Sequence, residues 1–367
     1  GLGDVYKRQP ILGVMLAYGR NRYQVVPERR TTEFGTFNQP LRFTVAFAGR
    51  EVLEYDTYQA ALKYTSWISE KWKSDLIFSA VRAFEREYTN VEGGYRLCDV
   101  DKQTGSPTFN ECVTTRGIGT EFSYGRNSLE SVLINAESRH AILLEGRDEV
   151  NAGIGVSFQD YGDILNEYEF TDSLGYVSDL SSRGSEVDFT NYKLWAYAQY
   201  QWKPSLRFSM TGGMRMTYVQ NSNQWLFSPR LQASLQPSWE SDVVFKASLG
   251  IYQQPPFYRE FRDQDGVFHD DVKAQSSVHA IVGMDYGFTW WGRNFNFIVE
   301  TYYKYLWNVN PYDVDNVKIR YYANNDAIAY ATGVDFRVSG EFIEGTQSWF
   351  SLGLMRTMED LSGDGRG

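Results

Sequence analysis

Between residues 191 and 219 apolar and polar side chains alternate one for one. Tyr192, Leu194, Ala196, Ala198, Tyr200 and Trp202 share one face, while Asn191, Lys193, Tyr197, Gln199 and Gln201 share the other with Trp195 as the apolar exception. A period of two predicts a strand. After Lys203-Pro204-Ser205 the pattern resumes through Leu206, Phe208, Met210, Gly212, Met214, Met216 and Tyr218, with Arg207, Ser209, Thr211, Gly213, Arg215 and Thr217 opposite. The two runs predict a hairpin with a short turn. Strands of soluble sheets are usually about 5 or 6 residues long, and each arm here keeps its alternation for roughly twice that. Thirteen residues at about 3.3 Å each, tilted near 45°, rise roughly 30 Å, the depth of a bilayer core. The expectation is a transmembrane hairpin, apolar toward lipid and polar toward a lumen.

The same unit recurs. Strands are expected at 11–19, 56–69, 76–88, 128–144, 150–164, 228–236, 243–252, 278–290, 295–305, 328–339 and 348–357, which with the first hairpin makes about thirteen. Polar loops are expected at 20–54 (with an alternating piece at 41–48), 89–127, 165–185, 253–275 and 306–327. Connections are expected to alternate between turns of a few residues and loops of ten to forty, as in barrels with short periplasmic turns and long extracellular loops. Trp67, Trp72, Trp202, Trp239, Trp290, Trp291 and Trp349, seven of the ten tryptophans, fall at the short-turn side, where an aromatic girdle belongs. The expected fold class is therefore all-β, a transmembrane antiparallel up-and-down barrel. It is partial, because wide plugged barrels have about 22 strands.

Composition changes little in this picture. The 367 residues are 42% hydrophobic and 16% aromatic without the roughly 18 consecutive apolar residues of a membrane helix, so a membrane protein of this kind must span with strands. A formal charge of −10 argues against a nucleic-acid partner. Residues 1–9, GLGDVYKRQ, resemble translated adapter read-through, and the chain from 10 to 367 reads as an internal piece of a barrel ending in a loop.

Several stretches are similar to the barrel of TonB-dependent outer-membrane receptors, in particular the branch with an N-terminal carboxypeptidase-regulatory-like domain. They include GTFNQPLRFTVAFAGRE from Gly35, SPRLQASLQPSW from Ser228, GIYQQPPFYREF from Gly250, and GVDFRVSGEFIEGTQSWFSLGLMRTMED from Gly333. The resemblance implies the outer membrane of a Gram-negative bacterium and import of a scarce or bulky ligand such as an iron chelate, a glycan or a peptide. It further implies outer-membrane lipid around the wall, a plug domain and final strands outside this stretch, TonB acting through that plug, and a surface lipoprotein as a further partner. No enzyme and no cofactor are implied. A passive porin is the alternative, and a secreted β-rich carbohydrate-active enzyme a weaker one.

Candidate chemistry is sparse. Cys98 and Cys112, the only cysteines, share one expected extracellular loop beyond an oxidising compartment, which favours a disulfide over two free thiols. The stretch from Gly250 carries Tyr252, Phe257, Tyr258, Arg259 and Arg262, stacking and bidentate donors suited to carboxylates or sugars. They either face a ligand or pack against neighbouring loops. Arg207, Arg215, Lys246, Asp285, Glu300, Lys304, Asp335 and Arg337 are expected to line the lumen, chiefly against the plug. Asp263-Gln-Asp265-Gly266 and Asp99-Val-Asp101 resemble half a calcium loop but lack the distal acid, so no metal site is expected. His140 and His279 have no nucleophile partner at catalytic spacing.

Overall fold

The computed structural model of the chain describes residues 9–36, 38–173, 176–177, 181–315 and 318–362. The strands are β1 (Ile11–Val25), β2 (Arg30–Thr36), β3 (Gln39–Ser69), β4 (Trp72–Val100), β5 (Cys112–Leu143), β6 (Glu149–Ser173), β7 (Tyr176–Val177), β8 (Ser181–Trp202) and β9 (Phe208–Val219). They continue with β10 (Gln224–Leu235), β11 (Asp242–Gln254), β12 (Gln275–Trp290), β13 (Arg293–Val309), β14 (Tyr312–Asp315), β15 (Lys318–Tyr321), β16 (Ala327–Ile343) and β17 (Thr346–Leu361). Thirteen of them pair in the order β1-β3-β4-β5-β6-β8-β9-β10-β11-β12-β13-β16-β17, with β2 on β3, β7 on β6, and β14 pairing β15 separately. Every pairing is antiparallel, and β1 and β17 are the outer strands of an open, partial barrel.

The long strands were legible, but three of the expected loops were not loops. Residues 20–54, 89–127 and 165–185 are largely ladder, since β3, β4 and β5 run for 31, 29 and 32 residues. Above the membrane both faces of a strand meet water, so the apolar alternation fades while backbone pairing continues. The rule of short turns opposite long loops also fails once. Residues 220–223 join β9 to β10 on the loop side in a single tight turn, closed by Asn223 N–H donating to Gln220 O at 3.2 Å.

Register assigns the two faces. Tyr197 lies opposite Arg215, Ser234 opposite Lys246, Val244 opposite Asp285, Gly283 opposite Glu300, Glu300 opposite Asp335 and Ile298 opposite Arg337, so these charges, carried by five strands, share one face of the sheet. The opposite face carries the apolar set and is open, with Ile154 63%, Leu249 56% and Val282 58% exposed. By the same parity Trp67 and Trp349 point inward, unlike the girdle expected of them. Arg337 lies 5.5 Å above the Trp349 ring, a cation held by an aromatic on the inner wall.

Trp195, the break in alternation, has a local cause. It pairs with Gly155, and Tyr197 pairs with Gly153. A Cβ on Gly155 would fall 2.3 Å from the indole, and one on Gly153 would fall 2.6 Å from the phenol ring. The rings lie across the bare glycine backbone and fill the inner wall. Gly155→Val is therefore expected to lower stability by about 1–3 kcal/mol through overpacking. Gly162→Ala, whose Cβ would meet only Asp188 Oδ1 at 3.5 Å, should change little. Urea unfolding of the full-length receptor in bilayers compares the two.

Candidate functional site

The connection between β11 and β12, residues 255–274, begins with Pro255-Pro256 and turns through a short 3-10 segment at Tyr258–Phe261. Its tip closes on itself. Asp263 N–H donates to Val267 O at 2.9 Å, His269 N–H to Phe261 O at 2.7 Å, and Gly266 sits at φ +88°, a conformation that favours glycine. Two buried rings do the anchoring. Tyr258 is 7% and Phe261 2% exposed, and both join a cluster with Phe189 of β8, Val272 and Ala323, flanked by Tyr161 and Leu129. Tyr258 stacks on Tyr161 with ring centroids 4.7 Å apart.

Leu129, Tyr161 and Phe189 are inner-face residues, so the connection folds into the lumen rather than away from it. Its polar atoms reach further round the wall. Arg262 pairs with Asp163 of β6, Tyr258 Oη donates to the same carboxylate at 3.1 Å, and Arg259 pairs with Glu85 of β4. Between β4 and β11 stand β5, β6, β8, β9 and β10, and contact across them requires the sheet to curl. The β13–β16 connection closes over the same place. Asn310 Nδ2 donates to Glu260 O at 2.9 Å, and Arg320 of β15, half-buried, pairs with the buried Glu167 of β6 at 2.7 Å.

The five candidates of this stretch thus have different fates. Tyr258 and Arg262 are consumed by packing and pairing with the wall. Phe257 (63% exposed) and the Arg259 side chain (69%) remain exposed. Tyr252, on β11, is stacked between Arg230 at 4.3 Å and His279 at 4.4 Å. Asp163 and Glu85, the acids that receive the connection, carry no mark in the sequence beyond inward parity on their strands.

Burial pushes the Tyr258 hydroxyl far above its ordinary range, with the Asp163 charge adding to it. Burial likewise raises Glu260, against hydrogen bonds from Phe257 N–H and Gln275. A carboxyl raised in the folded state stabilises the connection below its unfolded pKa, and that contribution is lost as pH rises through the folded value. Glu260→Gln is expected to tighten the connection at neutral pH and to flatten this dependence. Hydrogen exchange of residues 255–274 between pH 4 and pH 8, in steps of about one unit, would show no change on substitution if burial of the charge were immaterial.

Elsewhere on the wall, Lys246 pairs with Asp285, Lys304 lies 5.8 Å from the Tyr302 ring and Arg215 5.3 Å from the Trp195 ring. Glu300 and Asp335 stand directly opposite each other as like charges. Arg207 is not on the strand wall. It lies exposed in the turn before β9, where its carbonyl accepts from Gln236 N–H at 2.7 Å. Cys98 and Cys112 are joined by a disulfide with Cα atoms 5.6 Å apart, at the base of the turn between β4 and β5. The half-motif acids are used locally. Asp99 binds Arg116, Asp101 accepts from Gln103 N–H and Thr108 Oγ1, and Asp263 accepts from Asp265 N–H, Val267 N–H and His269. His140 accepts from Trp72 Nε1 at 3.3 Å.

An open antiparallel wall with an apolar exterior, a charged interior and an in-folded connection on the loop side defines an outer-membrane β-barrel. A family profile described as "TonB dependent receptor-like, beta-barrel" matches residues 7–363, and the chain belongs to that family of outer-membrane receptors, which are not enzymes. This places it in the outer membrane of a Gram-negative bacterium. Among solved structures it is similar to the copper transporter OprC, with a TM-score of 0.50 at 10% identity over 94% of this chain and 61% of that one. It is also similar to the outer membrane transporter YddB from Escherichia coli (TM-score 0.48, 9% identity, 93% of this chain, 55% of that one). The siderophore receptor PirA from Pseudomonas aeruginosa is another (0.48, 11%, 96% and 67%). The chain spans about three fifths of the length of these structures. No curated protein matches the sequence.

Proposed function

We propose that this chain forms the wall and outer mouth of an active importer that takes up a scarce or bulky ligand. A plug outside the stretch gates the lumen, and TonB drives it. The observation that supports this reading is the inner wall of a receptor-family barrel: charges of both signs face the interior while Phe257 and Arg259 stay open on an in-folded connection. An aromatic ring beside a guanidinium suits a ligand carrying carboxylates, such as an iron chelate, a peptide or an acidic glycan. A surface lipoprotein over the mouth and an N-terminal carboxypeptidase-regulatory-like domain belong to the same proposal.

A passive pore is the second reading, favoured by the same connection as a constriction bearing Arg259 and Arg262 against Glu85 and Asp163. Uptake of candidate ligands by cells carrying the full-length receptor separates the two. Loss of uptake on collapsing the proton gradient supports the importer, and uptake that continues unchanged overturns it.

A further inference from the structure

Apart from the main wall, β14 and β15 form a two-stranded sheet of their own within the β13–β16 connection. Two strands of four residues are only marginally stable in water by themselves, and here their underside is pinned. Arg320 pairs with Glu167 at 2.7 Å, Gln264 Nε2 donates to Asp313 Oδ2 at 3.0 Å, and Tyr322 Oη donates to the same oxygen at 2.7 Å. The polar side chains of the hairpin are thus turned toward the rest of the mouth.

The side left to solvent is apolar, the reverse of an ordinary surface hairpin. Tyr312 lies opposite Tyr321 and Val314 opposite Ile319, so these four alternate with Asp313 and Arg320 and share the other face. Tyr312, Val314 and Ile319 are each more than half exposed, and the Tyr312 and Tyr321 ring centroids lie 5.9 Å apart.

The backbone of β14 adds an independent observation. Tyr322 N–H donates to Pro311 O at 2.9 Å. Antiparallel hydrogen bonding alternates along a strand, so Asp313 faces β15 with its backbone groups, while Tyr312 and Val314 turn their N–H and C=O groups away from it. Among the described residues nothing hydrogen-bonds to those outward groups. β14 is also the open flank: Tyr312, Asp313 and Val314 are all exposed, whereas Arg320 and Tyr321 of β15 are half-buried.

A bare edge of donors and acceptors repeating every 7 Å or so, beside alternate apolar side chains, meets both needs of a strand-accepting site. The main chain supplies affinity, and the alternating positions supply selection. An iron chelate or a sugar carries no repeat that matches such an edge. An extended peptide does.

We propose that β14 is the docking edge for an extended peptide, which adds to the hairpin as a third strand. Its residues opposite Tyr312 and Val314 are apolar and lie on the exposed face, and the residue between them, opposite Asp313, is Lys or Arg beside that carboxylate. This rests on the importer reading and deepens it, naming a peptide as the ligand captured at the mouth.

Fluorescence anisotropy of the detergent-purified full-length receptor tests it with a labelled Thr-Val-Lys-Val-Thr peptide. The parent is expected to bind this peptide about tenfold more tightly than the same peptide N-methylated at both valines, whose amides face the edge. N-methylation at the lysine, whose amide faces solvent, is expected to change the affinity less than about threefold. Val314→Pro removes an outward N–H that the hairpin does not use, and it should weaken the unmodified peptide about tenfold, whereas Val314→Thr should stay within about threefold. The comparison of peptides on the parent holds even where Val314→Pro disturbs the hairpin. No binding of the unmodified peptide, equal binding of the three peptides, or an unchanged affinity in a folded Val314→Pro receptor would overturn the assignment. Binding is read without a proton gradient, so such a failure alongside gradient-dependent uptake strikes the peptide site and leaves the importer standing.

Discussion

Replacing Arg262 with alanine is expected to detach the β11–β12 connection from the opposite wall and to cost about 3–5 kcal/mol. The size follows from burial. The Arg262 and Asp163 side chains are 12% and 14% exposed, so the substitution leaves a carboxylate in a poorly hydrated place, with only the Tyr258 hydroxyl still donating to it. Arg259→Ala removes an ion pair of similar appearance, but its side chain is 69% exposed, and the expected change is below about 1 kcal/mol. Hydrogen exchange across residues 255–274, with thermal unfolding of the full-length receptor, distinguishes them. Similar effects of the two substitutions would contradict the in-folded anchoring. The double variant Asp163→Ala/Arg262→Ala should cost less than the sum of its parts, since neither charge is then stranded.

A second large effect is expected on the other face. Leu249→Arg, mid-strand on β11 and pointing outward, should destabilise the inserted barrel by about 2–4 kcal/mol. Ser248→Arg, one residue away and pointing at the lumen, should cost far less, because the inner wall already accommodates Lys246 and Asp285. Unfolding of both variants from bilayers reads the difference. Equal penalties would mean that the register-derived faces are wrong.

The period of two carried most of the spanning wall, because lipid on one side and water on the other force neighbouring residues apart in chemistry. The same parity puts the charges from Arg215 to Arg337 on one face. What escaped was set by contacts between distant strands. Nothing near Tyr258 or Arg262 in sequence announces Asp163, and nothing near Arg259 announces Glu85. Only the curl of the sheet brings them together. The ladder of β3, β4 and β5 beyond the membrane escaped for a different reason, namely that water on both faces leaves no periodic mark. Trp195 looked like an error in the pattern until Gly155, one strand away, explained the room for it.

The unequal lengths of the strands have a further consequence. At about 3.3 Å per residue, β3 and β5 extend roughly 100 Å and stand well clear of the bilayer, whereas β9 and β10, with 12 residues each, reach only about 40 Å and barely emerge. The rim is therefore cut on a slant, tall along one flank and level with the headgroups at the tight turn of residues 220–223. On the low side the β11–β12 connection lies against that turn, with Asn221 Nδ2 donating to Asp270 O at 3.0 Å, so an in-folded segment rather than a raised wall shields the mouth along that flank.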